Sequence, residues 1–162
     1  MEQIEAWSEF NVAMVCATAA LAGLVIVAAS VNIAEIIKEA SLTARLAAGI
    51  AGLVLALAGS AIGLIPGIGP QGYGVAMCLL AVGAAAFAVQ AARRIFENRH
   101  PRNRLRAAKA AVGFIAPLAY LLGGALLAAG QGHGLLWFAV GSIVGIMAAL
   151  MVSWIVLVEV LR

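Results

Sequence analysis

Long apolar segments alternate with short polar ones along the whole chain. Five segments approach the length of about 20 helical residues that crosses about 30 Å of hydrocarbon, and they cover residues 10–31, 45–65, 73–92, 107–129 and 135–160. Pro66 and Pro70, with several glycines, predict a turn between the second and third segments. The pattern predicts an all-α integral membrane bundle of five transmembrane helices, forming a single membrane domain over residues 1–162.

The composition excludes a soluble globular domain. Hydrophobic residues make up 65% of the chain and charged residues 10%, with a mean hydropathy of +1.09, whereas soluble domains carry about 25% charged residues. The N-terminal residues are acidic and lack the basic region of a secretory signal peptide, so we expect the first span to stay in the mature protein.

Charge placement predicts the topology. Seven of the ten Lys and Arg residues lie within residues 93–109, and five spans put Lys38, Arg45 and Arg162 on the same side as that stretch. Because short cytoplasmic loops are enriched in Lys and Arg, we expect the N-terminus outside, the C-terminus in the cytoplasm and a basic cytoplasmic loop over residues 93–106. This loop faces the lipid bilayer, so no nucleic-acid partner is expected.

The basic stretch also contains a candidate site for anionic lipids. Pro101 suits the first turn of a helix, which places the basic side chains at the N-terminal turns of span four, where backbone N–H groups attract phosphate. The candidate residues are Arg102, Arg104, Arg106 and Lys109. The alternative is a solvated stretch that only sets topology.

Span one carries a strip of polar and small residues. Asn11, Thr18, Val25 and Asn32 recur every seven residues, with Ala22 and Ala29 on neighbouring positions. Amides and hydroxyls lose hydrogen bonds in hydrocarbon, so such a strip seldom faces lipid. It is a candidate pore or interface face, lying either in the bundle interior or along the axis of an oligomer.

Catalytic and metal-binding patterns are missing from the sequence. No ionisable residue lies near the middle of a span, where coupled transporters place them, and no nucleophile lies beside a base. His133 with the outer glutamates falls short of a metal site. The sequence therefore predicts no enzyme, cofactor or metal. Cys16 and Cys78 lie at similar depth, so a disulfide is conceivable, with two separate packed thiols as the alternative.

The first span resembles that of a known group of proteins. Trp7 and Phe10, followed by AALAGLVIVAASVNI at residues 19–33, are similar to small actinobacterial membrane proteins labelled modulators of the FtsH protease. The resemblance implies a multi-pass protein of a bacterial plasma membrane and makes protease regulation a hypothesis. It assigns no functional residue.

Small-residue patterns favour close helix packing. Gly59 with Gly63, and Gly141 with Gly145, form GxxxG pairs, and Ala84, Ala88 and Ala92 form a ridge on span three. We therefore expect a self-associating protein, in the leading interpretation a homo-oligomeric channel or passive conduit with span one near the axis. The alternatives are an accessory subunit of a larger membrane complex, such as a membrane protease, and a structural protein that binds anionic lipids.

Overall fold

The computed structural model describes residues 2–97 and 106–160. Within these ranges the chain forms seven helices and no strand: α1 (Glu2–Glu5), α2 (Ser8–Val31), α3 (Ile33–Ile36), α4 (Ala40–Gly63), α5 (Pro70–Glu97), α6 (Arg106–Ala128) and α7 (Gly134–Val160). Five of them, α2 and α4 to α7, are long and apolar enough to cross a membrane. The predicted all-α bundle of five membrane helices is confirmed.

Two helices extend by five residues beyond the predicted spans at their charged ends. α4 begins at Ala40 instead of residue 45. α5 continues to Glu97, so Arg93 and Arg94 belong to a helix and not to the loop predicted for residues 93–106. An ion pair of 3.0 Å between Arg94 and Glu97 spans the last turn of α5, which gives these charged residues a helical arrangement that hydropathy does not detect.

Glycine and proline set two of the helix boundaries. Pro70 occupies the first position of α5, where its missing N–H costs no hydrogen bond. α6 ends in a Schellman arrangement: Gly130 has a φ of +82° and donates its N–H to Leu127, while Gln131 donates to Leu126. The turns from α4 to α5 and from α6 to α7 are therefore short, and the two helices of each pair run antiparallel.

Four helices form a ring, and α2 lies outside it. α4 contacts α5 and α7, and α6 contacts the same two helices, which closes the ring. α2 packs mainly on α4, with a smaller contact on α7. Only 22% of the most apolar window of α2 is buried, against 44% for α6. Exposed apolar side chains, such as Leu24 and Val31 of α2 and Leu79 of α5, cover the outside of the bundle.

The two ends of the ring pack differently. We call one the basic end, where Lys38, Arg45, Arg93, Arg94 and Lys109 lie, and the other the far end. At the far end the backbones touch: a Cβ built on Gly74 of α5 would lie 2.6 Å from the carbonyl oxygen of Gly124 on α6. Gly123 and Gly134 make the corresponding approach between α6 and α7. Only glycine allows these contacts, and they hold the ring closed at this end.

Candidate ligand-binding cavity

Toward the basic end, a cavity opens between all four helices of the ring. The centres of water-sized molecules can occupy about 50 Å³ inside it. Its wall is almost entirely apolar and built from small residues, including Gly49 and Gly52 of α4, Ala84 and Ala88 of α5, Gly113 of α6 and Gly145 of α7. The helices approach one another here without side chains large enough to fill the space between them.

The glycines of the cavity wall are not required by close packing. A Cβ on Gly52 would meet nothing within 4 Å, and one on Gly145 would lie 3.6 Å from the Cβ of Ala116, an ordinary contact. This is the opposite of the far end, where added atoms would collide with backbone. The small residues at the basic end therefore leave space open instead of bringing helices together.

Two cationic side chains line the mouth of the cavity. Arg45, in the second turn of α4, is only 8% exposed, and Lys109 is half-buried in the first turn of α6. Both belong to the cavity wall. The result is an apolar chamber with a positively charged rim.

An aromatic cluster closes the ring beyond the cavity. Tyr73, Tyr120 and Phe138 are buried and in ring contact, with Phe138 5.2 Å from Tyr73 and 5.4 Å from Tyr120 between ring centroids. Ala84 belongs both to this core and to the cavity wall, so the cluster begins where the cavity ends. The cavity therefore reaches only part of the way through the bundle.

The hydroxyls of the aromatic cluster are satisfied within the protein. Tyr120 and Ser142 are joined by a hydrogen bond of 2.5 Å, and Ser142 donates to the carbonyl of Phe138 at 2.9 Å. Tyr73 donates to the carbonyl of Gly59 at 3.0 Å. Because buried polar groups are costly only when unpaired, these bonds stabilise the closed end.

Pro117 places a polar backbone group beside the cavity. Proline has no N–H to donate to the carbonyl four residues earlier, which here belongs to Gly113. Both residues line the cavity. The deep part of the wall therefore carries a backbone acceptor without its usual helical donor.

The polar strip of α2 lies in the interior of the protomer and not in the cavity. Asn11, Thr18 and Val25 are 6%, 0% and 6% exposed, and Thr18 satisfies its hydroxyl on the carbonyl of Met14 at 2.5 Å. The Asn11 amide nitrogen lies 2.7 Å from where a Cβ on Gly63 of α4 would be. These three side chains therefore lie in the interior of the bundle.

The remaining residues of the polar strip on α2 are half-buried. Ala22 and Ala29 are half-buried beside a core formed by Val25 with Leu42 and Leu46 of α4. Asn32 is half-buried and donates its side-chain N–H to the carbonyl of Ala28 at 3.1 Å, at the break between α2 and α3. These three residues keep part of their surface exposed, whereas Asn11, Thr18 and Val25 are buried.

The structure describes only some of the basic residues that the sequence proposes for binding an anionic lipid. Lys109 lines the mouth of the cavity. Arg106 begins α6, but its side chain, like all of Arg102 and Arg104, lies outside the described residues. Arg45, whose position in the sequence pointed only to the topology, joins Lys109 at the cavity mouth.

The two cysteines are free and differently placed. Cys16 is exposed on α2, whereas Cys78 of α5 packs against α6 with its sulfur 3.8 Å from the carbonyl oxygen of Leu121. The conceivable disulfide is therefore not formed. Among residues 2–97 and 106–160, no three His, Cys, Asp or Glu side chains cluster as metal ligands.

The sequence contained a signal for the cavity, but its meaning was ambiguous. The Ala84, Ala88 and Ala92 ridge predicted close helix packing, and all three residues line the open space instead.

Comparison of the chain with protein-family models, with curated proteins and with solved structures finds no match.

Proposed function

We propose that this protein is a non-enzymatic integral membrane protein that holds a small hydrophobic ligand between α4, α5, α6 and α7. The observation that carries the proposal is the apolar cavity in the ring. Ligand pockets are concave and mostly apolar, with a few polar groups that orient the ligand. The cavity, with Arg45 and Lys109 at its mouth, fits this description.

The chemistry of the cavity wall supports binding over catalysis. Its described residues include two ionisable side chains, both cationic, and no Ser, Thr, Cys, His, Asp or Glu. General acid–base or nucleophilic catalysis needs such groups in contact with the substrate. A ligand in this cavity would be surrounded by alkyl groups and held by burial of apolar surface.

Filling the cavity tests the proposal. Gly52→Leu and Gly113→Leu each place a large side chain where the structure has open space or an ordinary contact. Gly23→Leu is the matched control, because Gly23 is exposed on α2 and a Cβ there meets nothing within 4 Å. We expect native mass spectrometry in a non-ionic detergent to show one bound 1-decanol on the wild type and on Gly23→Leu, and loss of that adduct in both cavity variants. Equal occupancy in all four proteins would refute the site.

A gated conduit is the second candidate function, favoured by the opening of the cavity at the basic end. Such a path would run inside the ring of one protomer and past Tyr120, not along α2. Tyr120→Ala should then increase ion flux in planar bilayers, with a preference for anions because the rim is cationic. If neither the wild type nor Tyr120→Ala conducts, the conduit hypothesis fails.

Self-association remains a separate proposal, because the cavity needs no second copy. The far-end GxxxG glycines are used within the protomer: Gly59 and Gly141 accommodate Tyr120, and Gly63 accommodates Tyr73 and Asn11. A homo-oligomer would have to use the exposed apolar outside of the bundle. Native mass spectrometry in lipid nanodiscs gives the copy number, and a single copy bound to a foreign protein would favour an accessory subunit of a larger complex.

The proposed location is the plasma membrane of a bacterium, with the basic end in the cytoplasm. The proposal is supported by the resemblance of the first span and by the basic residues gathered at one end of the bundle.

A further inference from the structure

We infer that the ligand is a single-chain amphiphile with an anionic headgroup, a carboxylate or a phosphate. Its chain would occupy the cavity, and its headgroup would lie at the mouth between Arg45 and Lys109. The inference rests on the proposed function, because it uses the same cavity, and adds the charge and shape of the ligand.

The charge of the headgroup follows from the rim. Arg45 and Lys109 approach the mouth from α4 and α6, which lie on opposite sides of the ring, and no acidic residue lines the cavity among the described residues. Arg45 already makes an interaction within the protein, but a guanidinium has five N–H donors and a lysine ammonium has three. The rim can therefore bind an anion without losing the existing interaction.

Burial strengthens this preference. Arg45 is almost fully buried, and charges in a low-dielectric environment interact more strongly than charges in water. A neutral headgroup would gain hydrogen bonds from the rim but not this attraction, and a cationic one would be repelled. Charge-assisted hydrogen bonds are about twice as strong as neutral ones, so the rim selects for the sign of the headgroup.

The length of the chain follows from the depth of the cavity. Lys109 and Pro117 are the first and last residues of α6 in the cavity wall, and eight helical residues rise about 12 Å. An extended chain advances about 1.2 Å per bond, since a residue with three backbone bonds spans about 3.6 Å. The cavity therefore takes about ten carbons before the chain reaches the aromatic cluster.

The shape of the ligand follows from the width of the cavity. The space open to the centres of water-sized molecules is only about 50 Å³. Spread over about 12 Å, this space accepts one unbranched chain and excludes a fused-ring skeleton or two chains side by side. Small wall residues on all four helices give the chain an even apolar surface.

The test compares headgroups and chain lengths on the purified full-length protein. Native mass spectrometry in a non-ionic detergent measures the occupancy of decanoate, decyl phosphate, 1-decanol and decylamine, and of hexadecanoate as the longer chain. We expect both anions to bind about tenfold more tightly than 1-decanol, which corresponds to about 1.4 kcal/mol. Decylamine and hexadecanoate should bind more weakly than decanoate.

Charge-removing variants locate the headgroup. Lys109→Gln should weaken decanoate binding about tenfold and change 1-decanol binding much less, because glutamine keeps a hydrogen-bond donor and removes only the charge. Arg45→Gln should act in the same direction, but Arg45 is buried, so Lys109→Gln keeps the test valid if Arg45→Gln does not fold. Lys38→Gln is the matched control, because Lys38 is exposed at the same end and paired with Glu35 outside the cavity. It should leave both affinities unchanged.

The outcomes separate this inference from the proposed function. If decanoate and 1-decanol bind equally, and Lys109→Gln affects neither while Gly52→Leu removes both, the cavity binds a chain and the anionic headgroup is wrong. If Gly52→Leu leaves 1-decanol bound, the cavity itself is wrong. If decyl phosphate exceeds decanoate, the source is a phosphate amphiphile, and the reverse order indicates a fatty acid.

Discussion

Gly74→Ala and Gly52→Ala should change the stability of the protein in opposite directions, although both replace a helical glycine inside the ring. At Gly74 the added Cβ would lie 2.6 Å from the Gly124 carbonyl oxygen and 2.7 Å from the backbone nitrogen of Ala128. At Gly52 it would meet nothing within 4 Å. The chemical change is the same, so the difference measures the packing at the two ends of the ring.

The cost of Gly74→Ala in unfolding free energy follows from the distance by which α5 and α6 must move apart. Ordinary Cβ contacts begin at 3.4 Å, so α5 and α6 must separate by about 0.8 Å, and a gap of this size removes a quarter to a half of the attraction between the atoms involved. Overpacking of this kind costs about 1–3 kcal/mol. At Gly52 the gain is the helix propensity of alanine over glycine, about 0.5–1 kcal/mol.

The assay is unfolding of the purified protein in mixed micelles with increasing denaturing detergent, followed by far-ultraviolet circular dichroism. Gly23→Ala, on the lipid-facing side of α2 with nothing within 4 Å, controls for helix propensity alone and should match Gly52→Ala. We expect the unfolding free energies of Gly74→Ala and Gly52→Ala to differ by about 2 kcal/mol or more. If Gly74→Ala is as stable as Gly23→Ala, the far end is not closed by backbone contact and the reasoning fails.

Further predictions concern the aromatic cluster, the thiols and the topology. Tyr120→Phe keeps the ring but removes the bond to Ser142, so we expect a loss of about 1 kcal/mol in the same assay; an unchanged free energy would show that this bond adds nothing. In detergent, maleimide should modify the exposed Cys16 faster than Cys78, and equal rates in the two single-cysteine variants would contradict the packing of α5 on α6. In a cysteine-free background, a cysteine at Gln131, in the turn between α6 and α7, should react with a membrane-impermeant reagent added outside intact cells; protection would reverse the proposed orientation.

The five membrane helices were predictable because hydrophobic length is a local property. A segment such as residues 107–129 crosses hydrocarbon whatever its neighbours are, and the structure places α6 within one residue of those bounds. Errors arose at charged ends, where α5 continues through Arg93 and Arg94. Hydropathy ends a span at the first charges, whereas backbone hydrogen bonds continue the helix until the chain must turn.

What the polar strip of α2 faces was only partly predictable from the sequence. The seven-residue recurrence of Asn11, Thr18 and Val25 indicated a face that avoids lipid, and all three side chains are buried in the bundle. Whether that face met another protomer or α4 depended on the position of α2 around the ring. Span-by-span patterns carry no information on that position, because every span offers some small-residue face.

Local sequence determined the number of spans, the end of the bundle that carries positive charge and the face of α2 that turns from lipid, since each depends on residues near one another in the chain. Tertiary structure decided the cavity. Small residues have two physical consequences: at Gly74 and Gly124 they bring backbones into contact, whereas at Gly52 and Gly113 they leave space unfilled. The same kind of small-residue pattern occurs in the sequence at both ends of the ring. Which consequence prevails depends on the distance between helix axes, which is set by the packing of all four ring helices together.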